Sequence, residues 1–291
     1  MSGTANIPIY KMNGLGNQIV VADLRDTEAA MNGEHAQQIA ANPRTSFDQL
    51  MCLYPPRSPA SSEAYIEIFN SDGSTAGACG NGMRCVALVT SGGNPRPMSF
   101  ETAAGVLNVG FSDNGVISVD MGRPRFDWQD IPLRDPFHDT TRIELQVGPI
   151  DAPVLHSPSV CNVGNPHAVF WVEDVEIPDL EKFGPLLENH PIFPDRANIS
   201  VAEIVSRTHA RVRTWERGAG LTEACGSGAC AVLACASRID LLGRSAKISV
   251  PGGDLAIAWT ENDRLIMSGP AEFEYGGSMQ IAPDGSIRLE I

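Results

Sequence analysis

Two cysteines stand out by their neighbours. Cys79 opens Cys79-Gly80-Asn81-Gly82, and Cys225 opens Cys225-Gly226-Ser227-Gly228. Each set precedes an apolar run, so each thiol is expected at a strand-to-helix turn. The glycines allow a ligand to approach the backbone closely. The unpaired N–H groups of a helix start bind anions such as a carboxylate. Their partial positive charge is expected to lower a thiol pKa toward neutrality. One such site reads as a nucleophile. Two at related positions read as an acid and a base on opposite faces of one carbon, with both helix starts holding the carboxylate beside it. That is the chemistry of racemisation or epimerisation.

The relation between the two sites extends along the chain. The cysteines are 146 residues apart, about half of the 291. Phe69-Asn70 matches Trp215-Glu216 at the same spacing, and Leu15-Gly16-Asn17 matches Val163-Gly164-Asn165. Leu107–Phe111, followed by a turn at Asn114, matches Leu255–Trp259, followed by Asn262. Four matches in order point to a duplicated unit.

Each half then has one plan. Strands are predicted at Tyr65–Phe69, Val106–Phe111 and Val116–Met121, and again at Ala210–Trp215, Lys247–Val250, Leu255–Trp259 and Arg264–Met267. A helix follows each cysteine motif. The first is expected to stop at Gly92-Gly93 and the second to run through Leu242 to Gly243. Val86–Val89 and Ala231–Ala234 make both helices apolar nearly all round, as buried helices are. The expected fold is α/β, with two homologous domains related by a pseudo-two-fold axis. Each is a mainly antiparallel sheet wrapped around a central buried helix. The first domain is 1–125, completed by 276–291, whose Pro-Asp-Gly turn lies between two short strands. The second is 126–275, and the active site is expected in the cleft between them. The unmatched stretch Phe126–Val154, polar and proline-bearing, reads as the crossing.

Composition narrows the partners. The net charge is −14, which argues against nucleic acid, whose phosphates need a basic surface. The apolar run Ala229–Ala236 is too short to span a bilayer, and the first residues do not read as a signal peptide. Seven cysteines, an odd number in a long chain, fit cytoplasmic thiols better than a disulfide scaffold. Cys52, Cys85, Cys161, Cys230 and Cys235 lack a motif of their own and read as core thiols. The Gly-rich turns suit anions better than metals, so no metal is expected. Pyridoxal phosphate would need a Schiff-base lysine. None of Lys11, Lys182 and Lys247 has a phosphate cradle around it, so no cofactor is expected.

The motifs together resemble the diaminopimelate epimerases, a two-cysteine, cofactor-independent family of lysine and peptidoglycan-precursor biosynthesis. The resemblance covers nearly the whole chain. It rests on Lys11–Asn17, Phe47–Leu50, Ile68–Ser74, Ala78–Cys85, Gly164–Val169, Glu216–Gly220 and Ala224–Cys230. It implies that Cys79 and Cys225 are the acid/base pair. The backbone at Gly80-Asn81 and Gly226-Ser227, with Asn17, would hold the reacting carboxylate. Asn70, Asn165, Asn198 and Arg217 would hold the distal carboxylate, and Glu216 an ammonium group. Gln49 and His167 would orient the reacting end. The chemistry is apt, since Arg217 offers a planar fork for a carboxylate. The resemblance also implies a homodimer. The family often has His where Asn13 stands and Glu where Leu221 stands.

Three alternatives remain at this level. One is another racemase of the same architecture, acting on proline, hydroxyproline or a different amino acid. Another is a cysteine hydrolase pairing one thiol with His167. The last is a redox sensor in which Cys79 and Cys225 form a disulfide.

Overall fold

The computed structural model describes residues 6–77, 79–112 and 115–291. Ala78 of the first cysteine motif, Asn114 of the expected turn and the first five residues lie outside them. The chain divides into two compact units, residues 1–119 with 269–291, and residues 120–268.

The first unit runs β1 (Ile7–Gly14), β2 (Asn17–Asp23), α1 (Gly33–Ala41), β3 (Gln49–Tyr54), β4 (Ala64–Asn70), β5 (Thr75–Ala76), α2 (Gly80–Ser91), β6 (Met98–Thr102), β7 (Gly105–Phe111) and β8 (Ile117–Asp120). Most neighbours are antiparallel, but β2 lies parallel to β3 and β4 to β6. α2 packs on β1, β2, β3 and β7. Gly80 to Ala87 are buried without a break, as the all-round apolar pattern requires. Gly92 ends the helix in the left-handed conformation, φ 54°, where the sequence places the stop.

The second unit opens with a small hairpin of β9 (Gln146–Val147) and β10 (Leu155–His156). It continues β11 (Ser159–Asn162), β12 (Pro166–Trp171), α3 (Leu180–Glu188), β13 (Asn198–Ser206), β14 (His209–Glu216), β15 (Gly220–Leu221), α4 (Gly226–Arg238), β16 (Ser245–Val250), β17 (Gly253–Trp259) and β18 (Leu265–Gly269). From β11 to β18 this repeats β1 to β8 element for element. The parallel pairs recur at the matching places, β12 with β13 and β14 with β16. α4 packs on β11, β12, β13, β14, β16 and β17. The duplicated mixed α/β plan read from the sequence is therefore present.

Two readings are corrected. α4 ends at Arg238, not Leu242. Asp240 takes the left-handed conformation, φ 63°, and the Leu241 N–H returns to the Ala236 carbonyl at 2.9 Å. That is a Schellman closure with Asp in the glycine position. It satisfies the last carbonyls before Gly243 is reached. The stretch 126–154 is also more than a polar crossing. Ile131, Leu133, Ile143 and Leu145 are buried in the core of the second unit. They stand singly among polar residues, so no periodicity announces them.

The chain ends back in the first unit. β19 (Glu272–Ile281) pairs antiparallel with β1, and β20 (Ile287–Glu290) folds back on β19. Fully buried Arg84 of α2 donates from Nε to the Pro270 carbonyl at 3.0 Å, tying this return to the helix behind Cys79. Among the described residues, no helix is long and apolar enough to cross a membrane.

Candidate active site

In both units the thiol is itself the helix cap. Cys79 and Cys225 are the N-cap residues of α2 and α4, with extended backbone. Cys79 Sγ accepts from the Gly82 N–H at 3.3 Å, and Cys225 Sγ from the Gly228 N–H at 3.3 Å. A cap accepts one of the N–H groups that the helix leaves unpaired, and here sulfur does it twice. No cysteine of the seven is in a disulfide.

In the first unit, a turn sets up the site. Leu15 and Gly16 both have positive φ, 62° and 82°, so glycine at the second position relieves the strain. Asn13 Oδ1 accepts from the Gly16 N–H at 2.8 Å, which gives the departure at position 13 a structural task. Asn17 is thus placed at the start of β2 and is buried. Its Nδ2 donates to Asp48 Oδ2 at 3.2 Å, and Asp48 also accepts from the Gln18 N–H. The Asn17 carbonyl oxygen is buried with no partner among the described residues. Gln49 starts β3, directly opposite Asn70 at the end of β4. The Cys79 thiol donates to Gln49 Oε1 at 3.7 Å. Asn70 spends its amide on the Ser74 hydroxyl at 2.9 Å, within the adjoining turn. Buried Asn81 lies against Gly14 of β1.

In the second unit, β12 and β13 set His167 beside Asn198. His167 is fully buried, and its Nε2 is 2.8 Å from Asn165 Oδ1. Asn198 Nδ2 donates to the Pro166 carbonyl at 2.9 Å, and its Oδ1 accepts from the Arg217 N–H at 3.0 Å. The Arg217 guanidinium donates to the Asp195 carbonyl at 2.9 Å. Asn165, His167, Asn198 and Arg217 therefore form one connected chain. Glu216 ends β14 facing the Cys225 thiol, and its Oε1 accepts from the Thr222 hydroxyl at 2.6 Å. Cys225 Sγ is 3.5 Å from Ser227 Oγ. Gly226 lies buried beside them, and Gly80 holds the same place behind Cys79.

The expected lowering of the thiol pKa is overturned at Cys225. Burial pushes this thiol well above its ordinary value, and the Glu216 carboxylate beside it pushes the same way. Ser227 and the Gly228 N–H pull it back in part. Burial and Glu216 therefore oppose ionisation of Cys225, and the helix start alone does not set its pKa.

His167 shifts in the other direction. Burial, and then the Arg217 charge, lower its pKa to about 3. A histidine kept neutral in the fold stabilises it fully above the unfolded pKa of about 6.5. That stability is lost as pH falls from there toward the folded value. The window is thus pH 6.5 down to about 3, and the loss is on the order of 5 kcal/mol. Urea denaturation at several pH values should show it, and His167→Gln should flatten the curve in this window. An unchanged slope in the variant would remove the assignment.

Sequence reasoning missed several supporting groups. Glu188, at the end of α3, is buried and accepts from Trp215 Nε1, the Gly218 N–H and Arg196. Asp48 and Thr222 likewise serve predicted residues. Glu188 and Thr222 carry no motif, and Asp48 stands in the Phe47–Leu50 motif with no role assigned to it there, so their contacts reveal them.

The duplicated mixed α/β fold places the chain in a structural class shared by solved proteins of several different names. It superposes on a hydroxyproline epimerase from Agrobacterium vitis with a TM-score of 0.67 at 15% identity, covering 98% of this chain and 96% of that one. It also superposes on a phenazine-biosynthesis protein of the PhzF family from Enterococcus faecalis, with a TM-score of 0.66 at 16% identity, covering 94% and 99%. Within that class the chain belongs to the diaminopimelate epimerase family, whose model matches residues 9–126 and 159–274. The diaminopimelate epimerase of Chelativorans sp. (strain BNC1) is 59% identical over 269 residues, covering 92% of each chain. That of Nitrobacter hamburgensis is 54% identical over 290 residues, covering 99% of this chain and all of the relative.

Proposed function

We propose that this protein interconverts LL- and meso-diaminopimelate, at a step of lysine and peptidoglycan-precursor biosynthesis. The observation that carries the reading is the pair of thiols, each capping a buried helix at the same point of a duplicated unit. Epimerisation needs one sulfur for each face of the substrate α-carbon. One thiolate takes the α-proton and the opposite thiol gives its proton to the other face. The bond to hydrogen is broken and remade, and the two sulfurs exchange protonation states. The N–H groups of Gly80-Asn81 and Gly226-Ser227 stabilise the charge that builds on the carboxylate.

The substrate is an amino acid at both ends. Asn70, Asn165, Asn198 and Arg217 receive the distal carboxylate, and Glu216 the ammonium group. The backbone N–H of Arg217 already spends itself on Asn198, so its fork supplies the charge-assisted contact. Asn17 spends one amide hydrogen on Asp48 and has a second with which to meet the reacting carboxylate. Gln49 and His167 complete the reacting end. A homodimer in the cytoplasm belongs to the same reading.

Proton NMR in deuterium oxide, under reducing conditions, tests this. Loss of the α-proton signal with formation of the other epimer is expected for diaminopimelate and not for proline, hydroxyproline or glutamate. Exchange with proline instead would keep the two-thiol chemistry and overturn the substrate. Exchange with none of them would overturn both.

A further inference from the structure

The two units repeat each other closely, so a difference at an equivalent place carries information. Under the start of α4, Ser200 of β13 lies directly opposite Thr214 of β14. At the equivalent place under α2, Met51 of β3 lies opposite Ile68 of β4. The first unit thus backs its thiol with apolar side chains, and the second with two hydroxyls. Ser200 and Thr214 are buried, at 0% and 3% exposure, and their oxygens are 2.9 Å apart. Burying hydroxyls costs free energy unless their hydrogen bonds are made.

Counting protons shows that these bonds are incompletely made. Two hydroxyls carry two donor hydrogens, and their mutual bond uses one. Neither hydroxyl has another hydrogen bond among the described residues. One donor is therefore left over in a buried place. Its surroundings point to an acceptor. A Cβ on Gly228 would sit 2.8 Å from Thr214 Oγ1 and 3.1 Å from Cys225 Sγ. The absence of a side chain at Gly228 leaves one small volume that the hydroxyl and the thiol both face. The other groups around this sulfur are Glu216 of β14 and Ser227 with the Gly228 N–H of α4. Of these, the carboxylate opposes a negative sulfur.

We propose that Thr214 is a catalytic hydroxyl specific to the Cys225 half-site, donating its hydrogen to the thiolate that forms when Cys225 gives up its proton. Ser200 is its positioning residue, holding the hydroxyl by donating to Thr214 Oγ1. The proposal places that contact across the space that Gly228 leaves open between Thr214 Oγ1 and Cys225 Sγ. The protons balance, because the hydroxyl lends a hydrogen bond and is not itself deprotonated. The inference rests on the two-thiol reading above.

Substitution at position 214 separates this role from packing. Thr214→Val keeps the shape and removes the hydroxyl, while Thr214→Ser keeps the hydroxyl and removes the methyl. On the proposal, Thr214→Val lowers kcat for diaminopimelate at least about tenfold with KM within about twofold, and Thr214→Ser retains most of the activity. A packing role gives the opposite order, with Ser the more damaging change, and that order would overturn the proposal. So would equal activity in all three proteins. Ser200→Ala gives a second measure, with a smaller fall in kcat expected and no fall counting against the relay. A Met51→Leu control changes the apolar partner of the other half and should leave kcat within about twofold. Wild-type protein inactive on diaminopimelate would instead condemn the parent reading.

Discussion

Cys79→Ala and Cys225→Ala are each expected to lower epimerisation by up to about 10⁴-fold, the full contribution of a positioned acid or base. Alanine has no proton to give or take, and inversion needs both faces served. The loss should be nearly equal for the two variants, because the thiols hold equivalent places in the repeat. A smaller, separate loss belongs to the fold. Each sulfur accepts the N–H three residues on, and losing a cap acceptor costs about 1 kcal/mol. Serine at either position restores the cap and a weak acid, so proton exchange from one face should survive while inversion does not. The measurement is α-proton loss and epimer ratio by NMR in deuterium oxide. Wild-type inversion by either alanine variant would end the two-base account.

Glu188→Ala should give a large loss of stability while leaving both thiols in place. The carboxylate lies at the end of α3, buried, and serves three donors. Its Oε2 accepts from Trp215 Nε1 at 2.7 Å, and its Oε1 from the Gly218 N–H at 2.9 Å and Arg196 at 3.1 Å. Trp215 and Gly218 bracket Glu216 and Arg217, so this one side chain fixes both ends of the segment that carries the distal recognition groups. Alanine leaves the indole and the Gly218 N–H without their acceptor, at about 2–4 kcal/mol in all. Arg196 is half exposed and finds water instead. We expect the urea midpoint to fall and KM to rise at least about tenfold, with a smaller change in kcat. Glu188→Gln, which keeps one acceptor and the shape, should fall between. Wild-type stability and KM in the alanine variant would show that the segment holds itself.

The parts legible in the sequence are those with local causes. The two Gly-rich cysteine turns, the all-apolar helices behind them and the alternation at Ala210–Trp215 each announce themselves within a few residues. The repeat then supplies the architecture, since one unit predicts the other. The opaque parts are of two kinds, an unusual local conformation and partners far along the chain. Asp240 closes α4 early because Asp adopts the left-handed turn usually left to glycine, and the residue type alone does not foretell it. Ile131, Leu133, Ile143 and Leu145 reach the core from a segment whose composition reads as linker. The Cys225 pKa is the clearest case. The helix start argues for a lowered value, but burial and Glu216 decide the sign, and both are products of the folded chain.

The strand β19 pairs with β1 across nearly the whole length of the polypeptide. On a ribosome adding roughly 5–20 residues per second, one edge of β1 waits on the order of 15–50 s for the strand that covers it. The second unit, contiguous in the chain, emerges entire before that moment. An uncovered edge is a template for pairing with another chain. A message cut short near its 3′ end would therefore yield a product with one finished half and one adhesive one, a natural target for chaperones and proteases.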